Sequence, residues 1–458
     1  MSRDNAMVTM SETENEFNRR DFLKGGSLAT LMAMLGGVRL FAETPALPPA
    51  KPVGPKVKCG VIGLGAWGRE ILATLGRLPQ AQVAAICDTY ASALRRSADA
   101  APGAIPTEDY RTILDNNDIK AVVVATPTHQ HKEIVLAALR AGKHVYCEAP
   151  LADTLEEARD IALAAKAAPR QVFQAGLQMR SDPQRHFLLP FIRSGALGKP
   201  AMVRAQWHKK QSWRSASPNP EREKALNWRL SQATSLGLIG EIGLHQLDQA
   251  GWFLDAQALS VAGFGAITCW KDGRDVPDTI QAVVEYPKGV RMIYDCTLAN
   301  SFDSDYEVYY GGDAAVMIRE NKAWMFKEVD SPLLGWEVYA RKDAFYKETG
   351  IALVANATKL AAQGAKPAEE PAAIPPLYSA LEAFLRNTNE LNAAIEDFIS
   401  VFGSDDTAAL AEHIAKIHRS PAAGYLEGFQ ATVTAIKAND AITTGERIVL
   451  KPEWYDLS

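Results

Sequence analysis

Two hydrophobic periods alternate along the first third of the chain. Residues 57–62 are an unbroken apolar run bounded by glycine, short enough for a buried strand. A helical period follows through Ile71, Leu72, Leu75 and Leu78, and a second apolar run covers 83–87. The alternation continues with a helix-like stretch at 91–101, a β-branched run at 121–125 and a helix from His131 through 141. A strand ending at Cys147, an alanine-rich helix at 155–168 and a strand at 172–176 complete it. Strands alternating with helices, each strand apolar on both faces, predict a parallel sheet covered on both sides. After a helix at 184–194, strand character rises at 203–207, 281–286, 291–296 and 306–310, which predicts a mostly antiparallel sheet. The tail reads as helices at 377–402, 407–417 and 428–438 with a short strand at 447–450. Residues 359–376, rich in Ala, Pro and Glu, read as a surface linker.

The first strand-to-helix turn carries candidate chemistry. Gly63, Gly65 and Gly68 stand in G-x-G-x-x-G spacing, with Ala66 and Trp67 between the last two. The first glycine permits the tight turn, the second a close backbone approach to a pyrophosphate, and the third close helix–strand packing. Asp88 closes the second strand about 20 residues on, where a carboxylate accepts from a ribose 2′-hydroxyl. That acid favours NAD over NADP; Arg95 and Arg96 further on leave NADP open. Ligands in such sheets bind beyond the carboxyl ends of strands. Thr126, Pro127 and His131 after the third strand, and Glu148 and Pro150 after the fourth, therefore join the cofactor-binding set.

Downstream, Glu241, His245 and Asp248 fall at i, i+4 and i+7, one face of a helix. Alcohol oxidation needs a proton acceptor, and histidine ordinarily titrates near working pH. His245 is the candidate general acid/base; Glu241 suits either orienting its imidazole or holding a neighbouring substrate hydroxyl; Asp248 suits a structural hydrogen bond. Trp207, Trp213, Asn227, Trp228 and Arg229 cluster just before this helix and suit either sugar faces or a core.

These motifs resemble the Gfo/Idh/MocA family, the glucose–fructose oxidoreductase and inositol dehydrogenase group. The resemblance rests on the glycine turn, Thr126-Pro127 with His131, residues 142–145, 176–183 and 240–248, and the tail at 424–455. It implies an α/β protein: an N-terminal doubly wound Rossmann domain over 56–180, then an α+β domain over 181–458. The large sheet of that second domain is mostly antiparallel, and its last helices return to the first domain. It implies a nicotinamide-dependent oxidoreductase acting on the hydroxyl of a sugar, polyol or glycoside. Arg180, Trp228, Lys209 and His208 are the substrate-side candidates. The family usually carries Glu-Lys-Pro where this chain has Glu148-Ala149-Pro150, and its lysine touches nicotinamide and the reacting hydroxyl. Alanine can neither donate nor carry charge; Lys209, Lys210 and His208 are candidates to replace it. The departure keeps two further readings open. One is a glycosidase or lyase that oxidises transiently with bound NAD and then eliminates. The other is a non-catalytic sugar-binding protein of the same fold.

Composition narrows this picture at three points. A net charge of −5 gives no support for nucleic-acid binding. The 5 cysteines show no C-x-x-C and no zinc spacing, so no metal site is expected. Arg19-Arg20, Phe22-Leu23-Lys24 and the glycine-rich apolar run after them resemble a twin-arginine export signal, with 1–55 as signal and linker. The twin-arginine machinery exports proteins already folded and loaded, so a periplasmic or otherwise exported enzyme is expected to keep its NAD tightly bound. An uncovered sheet face in the second domain makes a homo-oligomer the expected assembly.

Overall fold

A computed structural model describes residues 54–319, 322–332, 343–344, 349–356, 374–403 and 406–458. The twin-arginine motif and most of the 359–376 linker lie outside the described residues.

The N-terminal sheet is built from β1 (Val57–Ile62), β2 (Ala81–Cys87), β3 (Ile105–Thr107), β4 (Ala121–Val124), β5 (His144–Cys147) and β6 (Phe173–Ala175). All pairings are parallel in the order β3-β2-β1-β4-β5-β6. The order reverses between β1 and β4, which places a crevice beyond their carboxyl ends. The helices are α1 (Ala66–Leu75), α2 (Ala91–Ser97), α3 (Arg111–Leu114), α4 (His131–Arg140) and α5 (Leu155–Lys166). Thr154 caps α5 by accepting from Glu157 N, so the helix starts where the threonine stands.

The second sheet has ten strands in the order β14-β15-β13-β12-β11-β7-β10-β9-β8-β16. These are β7 (Pro200–His208), β8 (Ser260–Ala266), β9 (Thr279–Glu285), β10 (Arg291–Thr297), β11 (Asp305–Gly311), β12 (Ala314–Arg319), β13 (Lys322–Glu328), β14 (Asp343–Ala344), β15 (Thr349–Asn356) and β16 (Ile448–Val449). Pairing is antiparallel except between β7 and β10, which matches the expected architecture. The remaining helices are α6 (Pro183–Arg193), α7 (Pro220–Leu226), α8 (Leu244–Leu254), α9 (Pro376–Phe402), α10 (Thr407–Ala415) and α11 (Tyr425–Thr444).

Alternation along β9 and β10 buries Ile280, Ala282, Val284, Met292, Tyr294 and Cys296 on one face. Against that face pack Leu247 and Phe253 of α8 and Phe429 and Val433 of α11. The opposite face exposes Phe264, Val283 and Ile293. A second core joins Cys59, Val61, Ile71 and Leu72 to Leu381 and Phe384 of α9 and Ile414 of α10. Helices α9 and α10 thus cover a face of the first sheet. Between the domains, Arg180 Nε and Nη2 donate to both oxygens of Asp248 at 2.9 and 2.8 Å, with the guanidinium over the Trp252 ring. This pair commits two of the three guanidinium nitrogens of Arg180 to a domain tether.

Candidate active site

The glycine turn between β1 and α1 separates what the fold needs from what a ligand needs. Gly63 has φ +95°, and a Cβ there would sit 2.6 Å from Ala125 O. A Cβ on Gly68 would sit 2.0 Å from Gly63 O. Both glycines are required by the backbone itself. Gly65 differs: its φ is −60°, and a Cβ there would meet nothing within 4 Å. Neither conformation nor crowding calls for glycine at 65, so the space above it is what an approaching ligand would use. Asp88 accepts from Leu64 N at 3.0 Å and Tyr90 N at 2.9 Å, fixing its carboxylate at the end of β2.

At the ends of β4 and β5, three buried polar atoms have no hydrogen-bond partner among the described residues: Thr126 Oγ1, His129 Nδ1 and Glu148 Oε1. Unpaired buried polar groups cost about 1–3 kcal/mol each, so their concentration at one crevice points to a ligand that satisfies them. With the open space at Gly65, the residues fit a dinucleotide. Burial pushes the Glu148 carboxyl up to about 7, against the opposing pull of Trp67, Tyr146 and Arg229. His131 does not face the crevice. It is 1% exposed, and its ring nitrogens lie 3.0 Å from Pro150 O and from Thr126 O. Burial lowers it to about 4, so it stays neutral and braces the two loops from behind. Ala149 leaves no cation on that loop.

The second domain contributes the opposite wall. Glu241 lies in a π-helical turn, Ile239–Gly243, immediately before α8. The single helical face expected for Glu241, His245 and Asp248 is therefore broken: the wider turn aims Glu241 at the first domain, while Asp248 holds Arg180. Such turns recur at functional sites. Glu241 Oε1 accepts from Thr128 Oγ1 at 3.4 Å and from Ser235 Oγ at 3.3 Å, and Oε2 accepts from Arg229 Nε at 3.3 Å. Burial raises its carboxyl above the usual range, with Arg229 the largest opposing influence. Arg229 stacks on Trp228 at 4.6 Å and lies 5.9 Å from the Trp213 ring centroid, and Trp228 meets His129 edge-on.

The His245 ring makes no hydrogen bond among the described residues. Burial lowers it to about 4, not to the near-neutral value expected from its residue type. It is a neutral imidazole with both nitrogens available. His208 is committed: Nε2 lies 2.5 Å from Asp295 Oδ2 and Nδ1 is 3.1 Å from Phe302 O. Lys209 and Lys210 are exposed, and their hydrogen bonds come from backbone amides. Arg229, which the sequence pattern marks only as part of an aromatic cluster, is a cation that acts on carboxyls of both walls.

Comparison with known proteins follows the same division. Residues 57–176 match the Gfo/Idh/MocA oxidoreductase family, NAD-binding Rossmann fold, and residues 190–314 match the Gfo/Idh/MocA C-terminal domain. Together these cover just over half of the chain. An inositol 2-dehydrogenase of Rubrobacter xylanophilus is 31% identical over 228 residues, 49% of this chain and 59% of its own length. A levoglucosan dehydrogenase of Pseudarthrobacter phenanthrenivorans is 36% identical over 149 residues, 32% of this chain and 36% of its own length. The match thus spans less than two thirds of either relative. Among solved structures, a levoglucosan dehydrogenase in complex with NADH superposes with a TM-score of 0.65 at 19% identity, over 86% of this chain and 99% of that one. At that identity the likeness is one of fold.

Proposed function

The chain belongs to the Gfo/Idh/MocA oxidoreductase family, and on that premise we propose that it oxidises or reduces a hydroxyl of a sugar, polyol or glycoside, using a nicotinamide cofactor that it keeps bound. The supporting observation is the Thr128–Glu241 hydrogen bond. It draws the strand-end crevice of the first domain against the turn that leads into His245. Gly63, Gly65, Gly68 and Asp88 hold the nucleotide; Thr126, His129 and Glu148 offer partners at its reactive end. The bound cofactor supplies the hydride acceptor. His245, neutral and unengaged, takes the hydroxyl proton. Glu241, paired with Arg229, orients a neighbouring hydroxyl, and Trp228 offers an apolar face for the ring. The names of the relatives, an inositol and a levoglucosan dehydrogenase, support this substrate class.

The elimination route remains a second reading for one reason. Glu148 titrates near neutrality beside Ala149, and can take and return a proton where the family has its lysine. Incubation with a panel of polyols, sugars and glycosides separates the two. A keto-product with reduced cofactor supports the first. A released aglycone without net reduction supports the second. Binding without turnover overturns both in favour of a sugar-binding protein. The mass and absorbance of any small molecule released on denaturation test cofactor retention and distinguish NAD from NADP.

We carry export as part of this proposal on the strength of Arg19-Arg20 and the run after them. Fractionation of the full chain and of an R19K/R20K variant tests it: equal cytoplasmic retention of both overturns export. The exposed Phe264, Val283 and Ile293 support self-association; a single monomeric species in sedimentation velocity overturns that.

A further inference from the structure

Helix α7 belongs to the second domain, yet its Arg222 reaches the nucleotide end of the first. The guanidinium carbon lies 4.2 Å from the centroid of the Tyr90 ring, and Nη2 lies 4.0 Å from Asp88 Oδ1. The side chain is 17% exposed and that of Asp88 is 11% exposed, so the arginine roofs the carboxylate expected to meet a ribose. Its Nε is buried without a partner, and the guanidinium forms no hydrogen bond among the described residues. Asp88 and the Tyr90 ring balance the charge of this mostly buried guanidinium, but its hydrogen-bond donors remain unspent over the nucleotide site.

Its position is built. Asn219 caps α7 by accepting from Arg222 N at 3.0 Å. Arg214 joins Glu223 of the helix to Asp272 O of the second domain through Nη2 and Nη1. Asn227, at the helix end, exchanges two 2.8 Å hydrogen bonds with the backbone of Ser215. The strap at 214–227 is therefore fastened to its own domain and presents one cation to the other.

We propose that Arg222 is a cofactor-binding residue: it closes the adenosine end of the nucleotide site from the second domain and sets how slowly the dinucleotide leaves. This rests on reading the glycine turn and Asp88 as that site. Arginine suits the role because its planar group stacks on aromatic rings and keeps its charge while desolvated. Release then requires Arg222 to leave Tyr90 as the strap moves, which couples domain contact to retention.

The test compares NADH, AMP and nicotinamide mononucleotide on the wild-type protein, Arg222→Ala and Arg222→Lys, by calorimetric titration and by the NADH dissociation rate. The adenosine end is present in NADH and AMP and missing from the mononucleotide. In Arg222→Ala, NADH is expected to dissociate about tenfold faster and AMP to bind about tenfold more weakly, near 1.4 kcal/mol. Mononucleotide binding stays within twofold. Arg222→Lys, which keeps charge but loses the planar stack, falls between. Unchanged AMP binding and NADH release in both variants overturn the proposal, as does an equal loss for the mononucleotide. A wild-type protein that carries no nucleotide on purification and binds neither NADH nor AMP instead overturns the nucleotide site itself.

Discussion

Arg229 donates from Nε to Glu241 at 3.3 Å, and the same guanidinium lowers the pKa of Glu148 across the domain junction. One cation thus serves two buried carboxyl groups from different domains, at the place where the Glu148-Ala149-Pro150 loop supplies no cation. Removing it leaves both carboxyls with neutral hydrogen-bond donors and no cation, so both pKa values rise. We expect Arg229→Ala to lower kcat/KM by about 10- to 100-fold, roughly 1.4–2.7 kcal/mol. Its pH profile should move to the alkaline side. Arg229→Lys should recover part of the rate. Steady-state kinetics across pH test this, and an unchanged profile in Arg229→Ala removes Arg229 from the site.

The glycine turn predicts opposite phenotypes from one substitution. Gly68→Ala drives a methyl group into Gly63 O and should destabilise the fold by several kcal/mol, on the scale of overpacking in a close-packed core. Gly65→Ala meets open space at an ordinary φ, so melting temperature should stay within a few degrees. Its NADH affinity should nevertheless fall by at least about tenfold, because the methyl group occupies the ligand's approach. Thermal melts beside NADH titrations read both. Normal affinity in Gly65→Ala would show that the position is not ligand-facing.

Local pattern carried five of the six strands of the N-terminal sheet because those strands are largely buried and apolar and the helices between them are amphipathic; it did not give the short, exposed edge strand β3. It missed β8, where Gly263 and Gly265 break the strand signal and pairing with β9 supplies what propensity does not. It also stopped α11 at 438, before Asn439 and Asp440, whereas burial of Ala441 and Ile442 carries the helix to Thr444. At the candidate site, residue identity nominated Glu241 and His245 but did not give their surroundings. A π-helical turn has no sequence period to betray it, and the contacts of Arg180, His131 and Arg229 are long-range. Burial inverted the titration expected for His245, since the field at a side chain belongs to the folded ensemble of neighbours rather than to its own segment.

Glu307 tests that burial argument away from the site. Desolvation pushes its carboxyl up to about 7, with Arg185 and the hydroxyl of Tyr309, which donates at 3.1 Å, opposing. The folded form therefore binds more protons than the unfolded form between about 4.5 and 7. Stability from this group falls as pH rises through that window. Glu307→Gln removes the titration while keeping an acceptor for Tyr309. Its stability relative to wild type should increase between pH 5 and pH 8 by up to about 3 kcal/mol, at 1.36 kcal/mol per pKa unit. Urea unfolding at the two pH values measures the difference; a constant offset shows that Glu307 is ionised in the native state.

The acid limb of the rate profile distinguishes the two groups able to move a proton. His245 is lowered to about 4 and Glu148 raised to about 7, each chiefly by burial. A base must be unprotonated, so oxidation through His245 falls only as pH drops towards about 4, and oxidation gated by Glu148 falls already near 7. We expect the His245 pattern for hydroxyl oxidation, and a loss of about 10²- to 10⁴-fold in kcat for His245→Asn with NADH affinity unchanged. An acid limb near 7 that disappears in Glu148→Gln, with His245→Asn retaining its rate, would assign the proton transfer to Glu148. That outcome would also favour the elimination chemistry, because a carboxyl poised near neutrality next to Ala149 can take a proton from carbon and give it back within one cycle.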